Sequence, residues 1–339
     1  MKKRSLALLI FCLLLTGCAA RADGTPHTRT VFAMDTVMNL NAYGENGEIA
    51  LDAAEKGLYR LDAALARGTE GSAVHELNRF GTAAGTELAY LARNALAISE
   101  AADGAFDVTV APVLELWGFG SGAGERRVPE KTELAAALEH VGAENLHVGG
   151  ETDQVTLDLP AQIDLGGIAK GYAALCVRQQ LMAAGVTSAV IDLGGDVCLA
   201  GKKPDGSPWR VAVRDPADGA KFLGVLEASD VCVMTSGVYE RYFEKNGVRY
   251  HHIIDPKTGC PAQSGLVSAT VVCADGVWAD ALATAACVRG ADGALALRER
   301  LADETPFDLI LVTEDGNVIY TCDGFTPESG NGYTYEKIA

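Results

Sequence analysis

Asp280 and Thr284 lie four residues apart in the Ala-rich run Ala279-Asp280-Ala281-Leu282-Ala283-Thr284. Alanine favours helix, and residues four apart share one helical face, so a carboxylate and a hydroxyl project from the same side. Both are hard oxygen donors of the kind that ligate Mg2+. Twenty-eight residues before Asp280 stands His252, in Tyr250-His251-His252-Ile253-Ile254-Asp255-Pro256-Lys257-Thr258-Gly259. The Ile pair reads as a strand and the Asp-Pro-x-Thr-Gly segment as a turn. An imidazole able to move a proton, near a site for a hard cation, points to chemistry on a phosphate ester. Taken singly, a lone His is more often structural, and Asp280 with Thr284 could be a surface pair plus a backbone bond.

Other segments carry weaker signals. Gly166-Gly167-Ile168-Ala169-Lys170-Gly171 opens a helix, whose free N–H groups and positive dipole end suit phosphate, with Lys170 adding a formal charge. It matches neither a Walker A loop nor GxGxxG, and an ordinary tight junction explains it as well. Asp107, in Gly104-Ala105-Phe106-Asp107-Val108-Thr109-Val110, sits between apolar positions of an expected strand; a turn-capping carboxylate is the competing reading. Thr235-Ser236-Gly237-Val238-Tyr239-Glu240-Arg241 gathers hydroxyls and a guanidinium, and Met34-Asp35-Thr36 follows the first apolar run.

The elements expected to position these groups are a strand over 32–40, helices over 48–65 and 88–102, and a strand over 104–110. Then come a Gly-rich turn over 115–126, a helix over 132–141 and a hairpin over 146–159 turning near Gly149-Gly150. Ile163-Asp164-Leu165 reads as a strand leading through the Gly turn into a helix ending near Ala184. Residues 188–272 are strand-rich, a helix starts at Ala279, and 309–320 ends the sheet. Ile-Asp-Leu-Gly-Gly occurs twice, at 163–167 and 191–195; both copies read as strand-to-turn junctions, the second continuing as strand to Gly201. No linker divides residues 30–335, so the expectation is one α+β catalytic unit over 30–339, with helices packed on a largely antiparallel sheet.

The N-terminus reads as an address. Lys2, Lys3 and Arg4 precede an apolar run from Ser5 to Leu15, shorter than the ~20 residues of a membrane span. It ends in Leu15-Thr16-Gly17-Cys18, which resembles a lipoprotein signal. Cleavage after residue 17 would expose Cys18 for lipidation, and residues 18–29 would tether the body to the outer face of a bacterial membrane. The chain carries a formal charge of -17; losing Lys2, Lys3 and Arg4, with no acidic residue beside them, takes it to -20. That balance argues against nucleic acid and against a polybasic membrane patch. The nine cysteines form no CxxC pair, and those after Cys18 sit mostly in apolar runs. They read as buried small hydrophobes, with a disulfide or two left open.

Order and wording together make a stronger signal. Met34-Asp35-Thr36, Gly104 to Asp107, Leu116-Trp117-Gly118-Phe119, Asp164 to Gly171, Thr235 to Arg241, His252 to Gly259 and Ala279 to Thr284 resemble, in sequence, the FAD:protein FMN transferases of ApbE type. The resemblance runs from about Thr30 to Gly290. It implies an α+β fold with a T-fold-like portion. The implied reaction splits FAD, joins FMN through its phosphate to a Thr hydroxyl of another protein, and releases AMP. By position, Asp280 and Thr284, with the Gly167 and Ala283 carbonyls, would hold Mg2+. His252 would move the acceptor's proton or orient its oxygen. Met34, Ala105, Phe106, Asp107, Asp164, Lys170, Ser236, Tyr239 and Ile254 would line the FAD site. The implied partners are membrane redox proteins with a Thr-containing flavinylation sequence. Two other readings share these residues: an Mg2+-dependent FAD pyrophosphatase and a non-catalytic flavin-binding surface lipoprotein. The chain departs from the family at Gly68, where many relatives carry an aromatic residue that covers FAD. Lost stacking area should weaken FAD binding and admit water, favouring hydrolysis.

Overall fold

A computed structural model describes residues 24–120, 124–150 and 152–339; the expected signal peptide and Cys18 lie outside them. The described chain opens with a hairpin, β1 (His27–Ala33) and β2 (Thr36–Ala42), followed by α1 (Gly47–Leu65), α2 (Ala73–Phe80), β3 (Thr82–Ala84), α3 (Thr86–Ala101), α4 (Ala111–Trp117) and α5 (Lys131–Leu138). The small hairpin β4 (Leu146–Val148) and β5 (Gln154–Leu157) precedes α6 (Ala169–Ala183). Next come β6 (Ser188–Leu193), β7 (Val197–Gly201), β8 (Trp209–Arg214), β9 (Phe222–Ala228), β10 (Cys232–Gly237), β11 (Tyr242–Lys245), β12 (Val248–His251) and β13 (Leu266–Cys273). The chain closes with α7 (Gly276–Arg300), β14 (Phe307–Thr313), β15 (Asn317–Tyr320), β16 (Phe325–Pro327) and β17 (Thr334–Lys337).

Nine strands form the main sheet in the order β1-β2-β6-β7-β10-β13-β14-β15-β17. Its neighbours run antiparallel except the final β15–β17 pair. Over β10, β13 and β14 both faces are buried, and the two-residue period of the strands sorts side chains between two cores, while β1 and β2 at the edge leave one face exposed. On β10, Cys232 and Met234 join the large core beneath the helices, while Val233 joins a second core. On β14, Leu309 and Leu311 face the first core and Ile310 and Val312 the second. The second core is completed by Val213, Leu223, Leu226 and Phe325, from the three-stranded sheet β16-β9-β8. The α+β expectation, with a largely antiparallel sheet and packed helices, is met.

Several element boundaries differ from the sequence reading. The strand expected over 32–40 is instead a hairpin, because Met34 (φ 50°) and Asp35 (φ 58°) both adopt the left-handed conformation of a tight turn. The strand expected over 104–110 is a turn. Asp103 and Gly104 have positive φ after α3, and Asp107 Oδ1 accepts from both the Thr109 N–H (2.8 Å) and its hydroxyl (2.7 Å). Residues 163–165 form no ladder; only neighbouring Gln162 bridges to Val110. The second Ile-Asp-Leu-Gly-Gly turns at Gly194-Gly195 rather than continuing straight, which makes β6–β7 a hairpin. Helix α7 starts three residues before Ala279, capped by Asp275, whose Oδ1 accepts from the Val277 N–H at 2.8 Å. The main sheet ends not at Tyr320 but at β17. Among the described cysteines, Cys273, Cys287 and Cys322 are free and buried as expected, Cys176 and Cys260 are free but only half-buried, and Cys198 and Cys232, opposed on β7 and β10, form a disulfide of the kind left open by the sequence.

Candidate active site

The site forms where α6 crosses α7. A Cβ on Gly171 would strike the Gly276 backbone, and one on Gly276 would lie 2.7 Å from the Gly171 carbonyl oxygen. Only glycine permits that approach. The close crossing lets the Gly171 N–H, in the first turn of α6, donate to Asp280 Oδ2 at 2.9 Å. Asp280 is therefore buried, 5% exposed, although it belongs to a helix read from sequence as presenting one chemical face. Burial raises its carboxyl pKa; Lys170 opposes that shift and Asp196 adds to it.

Thr284 follows one turn later. Its hydroxyl is 3.1 Å from Ser236 Oγ on β10 and 3.5 Å from the Asp280 carbonyl. Gly167, in the turn before α6, faces it: a Cβ there would lie 3.3 Å from Thr284 Oγ1 and 3.2 Å from Phe106. Asp280, Thr284, Gly167, Ser236 and Phe106 thus converge from four segments. Among the described residues no three His, Cys, Asp or Glu side chains gather as a metal site. A cation here would rely on one carboxylate, one hydroxyl and backbone carbonyls, a hard all-oxygen set that suits Mg2+ completed by phosphate and water. The residues present fit that ion.

Lys170 pairs with Asp196, whose other oxygen accepts from the Thr235 N–H at 2.9 Å. Burial works against the Lys170 ammonium, but Asp196 and Asp280 outweigh it and raise its pKa. Asp196, 3% exposed, was not singled out by sequence, although it directly follows the second Ile-Asp-Leu-Gly-Gly. The turn signal drew attention to the glycines and away from the acid behind them.

His252 ends the β11–β12 hairpin. Its Nδ1 lies 3.2 Å from the Arg241 carbonyl oxygen, which can only accept, so Nδ1 carries the proton and Nε2 is left as an acceptor. Desolvation, then the Arg241 and Lys170 cations, push the imidazole down to about 3, so it is neutral at physiological pH. The Leu-Trp-Gly-Phe motif supports it from behind. Trp117 Nε1 donates to the Gly259 carbonyl at 2.8 Å, Trp117 stacks on Tyr250 at 5.4 Å, and Phe119 meets the His252 ring edge-on at 6.4 Å.

The remaining expected residues divide. Asp164 Oδ1 accepts from the Gly166 N–H at 2.8 Å, shaping the turn that presents Gly167. Asp107 is buried and held by Thr109, so its capping role is realised; burial raises its pKa against those hydrogen bonds. Ala105 and Phe106 are buried in the large core, and Ile254 packs with Val113 and Trp117. Met34 sits at the β1–β2 turn, next to the β6–β7 turn, where a Cβ on Gly194 would collide with Thr36. Tyr239 lines a cleft of about 210 Å3 with Asp192, Asp196, Arg214, Thr235 and Glu240. Gly68 is exposed, and its neighbour Arg67 is tied to Glu115 (2.5 Å) and Gln162 (2.8 Å). Sequence also missed α2 and its role. Ser72 caps it, and Asn78 clamps Ile163 through two hydrogen bonds of 2.7 and 2.9 Å, fixing the segment that carries Asp164.

The chain is 36% identical over 271 residues to the FAD:protein FMN transferase of Vibrio cholerae, covering 79% of this chain and 78% of the relative. It is 31% identical to that of Haemophilus influenzae, covering 80% and 78%. Its fold matches the crystal structure of the Thermotoga maritima ApbE protein with a TM-score of 0.79 at 33% identity, covering 87% of this chain and 96% of that one. The apo flavinyl transferase ApbE of Pseudomonas stutzeri matches at 0.76 and 30%, covering 91% and 95%. A profile of the ApbE family matches residues 34–307, a span that contains every group assembled at the α6–α7 crossing; the chain belongs to the ApbE family.

Proposed function

We propose that this chain transfers FMN from FAD to a threonine hydroxyl of a target protein, with Mg2+ bound at Asp280, Thr284 and the Gly167 and Ala283 carbonyls. The observation that carries the reading is the convergence of the buried Asp280 with Thr284 and Gly167, with the neutral His252 within reach of the Lys170 charge. When bound, Mg2+ would offset charge on the pyrophosphate and on departing AMP. The protein's own groups do the rest. Lys170, held by Asp196, supplies a fixed positive charge beside the phosphates. The acceptor oxygen bonds to the FMN-side phosphorus, and the bond from that phosphorus to the bridging oxygen breaks. AMP leaves with that oxygen, and the hydroxyl proton passes to His252 Nε2.

Hydrolysis of FAD to FMN and AMP is the second reading, with water in place of the acceptor hydroxyl. Gly68, exposed and without a side chain to cover a flavin, supports it as a side reaction. A lipid anchor at Cys18, on the outer face of a bacterial membrane, and membrane redox proteins as acceptors complete the proposal. Replacing Asp280 with Ala should reduce Mg2+-dependent AMP release at least a hundredfold, by removing the single carboxylate of the cation site. AMP release that stays Mg2+-dependent at the wild-type rate would refute the assignment.

A further inference from the structure

We propose that the Cys198–Cys232 disulfide positions the two halves of the active site against each other, and that its closure brings turnover to its full rate. This rests on the transferase reading and adds a redox requirement to the same site.

The site straddles the narrowest join in the main sheet. β7 and β10 share only two residue pairs, Cys198–Cys232 and Val197–Val233, against five for β6–β7 and six for β10–β13. One more backbone bond, from the Leu199 N–H to the Val231 carbonyl at 2.8 Å, extends the join. Helix α6 packs chiefly on α1, β6 and β7, and α7 on β10 and β13, so each helix goes with its own side of the seam. Lys170, Gly171 and Asp196 therefore stand on one side, and Ser236, Asp280 and Thr284 on the other. The disulfide is a covalent cross-link at that seam.

The polar contacts that build the site cross the same seam. Asp196 stands two residues before Cys198, and its Oδ1 accepts at 2.9 Å from the N–H of Thr235, three residues after Cys232. Asp280 Oδ2 accepts from the Gly171 N–H at 2.9 Å. The sulfur bears on this second contact as well. A Cβ on Gly276 would lie 3.1 Å from Cys232 Sγ and 2.7 Å from the Gly171 carbonyl oxygen, so Cys232 sits against the start of α7 where α6 crosses it. Two thiol sulfurs stand further apart than two bonded ones. Reduction therefore widens the seam or presses on α7, and either shifts Asp280 relative to Lys170. Misplacing a positioned group by about 1 Å costs on the order of a hundredfold in rate.

Both cysteines are 0% exposed, so oxidant and reductant reach them only when the chain opens. The redox state is accordingly set as the chain folds. Closure runs by thiol–disulfide exchange: the two thiols give up two electrons and two protons, and an oxidant of the disulfide class leaves as two thiols. The outer face of a membrane, where this protein is proposed to act, is a compartment in which such oxidation persists.

The test uses the full chain, folded once with dithiothreitol throughout and once with glutathione disulfide. Alkylation of the denatured protein and mass spectrometry should find Cys198 and Cys232 linked only in the second form. Mg2+-dependent AMP release is then measured with FAD and a Thr-bearing acceptor domain, per mole of folded protein. The reduced form should have a kcat lower by about tenfold or more, with the KM for FAD changing by less than about threefold. Cys198→Ala with Cys232→Ala should give the low kcat under both conditions, which separates this pair from the other cysteines. If that variant does not fold, the reduced wild-type chain decides alone. A cross-link that serves stability only would lower the unfolding midpoint and leave kcat untouched, and that result overturns the proposal. So does a double variant as fast as the oxidised wild type, or free thiols at both positions after folding with glutathione disulfide. AMP with only free FMN from the oxidised chain would count against the transferase reading, while the redox dependence of AMP release would still decide the role of the disulfide.

Discussion

His252 is held neutral by its surroundings and oriented by one carbonyl. With Nδ1 given to Arg241, only Nε2 faces the chemistry, and its basicity in the free protein is low because burial disfavours the imidazolium and the Arg241 and Lys170 cations repel a proton. A bound pyrophosphate would bring negative charge and raise it, so the base strengthens when substrate is present. NMR of the free protein should show the His252 ring without a titration between pH 5 and 8; a midpoint near 6.5 would contradict this environment. The same depression has a stability consequence. The unfolded His protonates near 6.5 while the folded one stays neutral to about 3, so the unfolded state binds more protons between those values. Stability from this group therefore falls as pH drops from about 6.5 towards 3. His252→Gln should flatten that part of the pH–stability curve measured by urea unfolding, and a variant curve as steep as wild type would rule out His252 as its source. The residue types at this scale were legible: a His, an Asp–Thr pair and a Lys after two glycines each announced their chemistry. Asp196 was not, because a carboxylate after Gly-Gly looks like any turn residue until the fold sets it against Lys170.

At the scale of elements, the α6–α7 crossing is what turns a helix-surface pattern into a buried site. The i, i+4 spacing of Asp280 and Thr284 correctly places them on one face, but spacing alone does not tell whether that face meets solvent or another helix. The close contact comes from Gly171 and Gly276, and only the structure pairs them. Gly171→Ala should destabilise the protein by about 1–3 kcal/mol, since the added methyl meets backbone that cannot rotate away. It should also displace Asp280 by breaking its hydrogen bond to the Gly171 N–H. Chemical denaturation checks the first effect; an unfolding midpoint equal to wild type would mean that the helices tolerate separation. Helix α2 was missed although Ser72 and Gly81 bracket it, because eight residues leave too short a run for a convincing period. The strands expected over 104–110 and 163–165 failed for the opposite reason. Their apolar alternation is real, but Asp107 and Asp164 direct their carboxylates to nearby backbone N–H groups and close turns instead.

Across the whole molecule, α1, α6 and α7 cover one face of the sheet, and β8, β9 and β16 cover the other over β10, β13, β14 and β15. The strand-rich character of 188–272 announced the strands, but not which of them leave the main sheet, since local pattern carries no partner information. That sorting is what leaves β11–β12 as a separate two-stranded hairpin with His252 at its end. The doubly covered part of the sheet thus holds β10 and the α6–α7 crossing, while the hairpin brings the base from the side. The central claim is that this assembly joins FMN to a protein hydroxyl rather than to water. The decisive measurement incubates the full chain with FAD, Mg2+ and a Thr-bearing acceptor domain, then quantifies AMP and the flavin fluorescence that remains on the acceptor after denaturing electrophoresis. The account predicts AMP together with covalent flavin on the acceptor, in near-equal amounts, with any excess AMP matched by free FMN from hydrolysis. AMP with only free FMN, or bound FAD with no AMP, would contradict it.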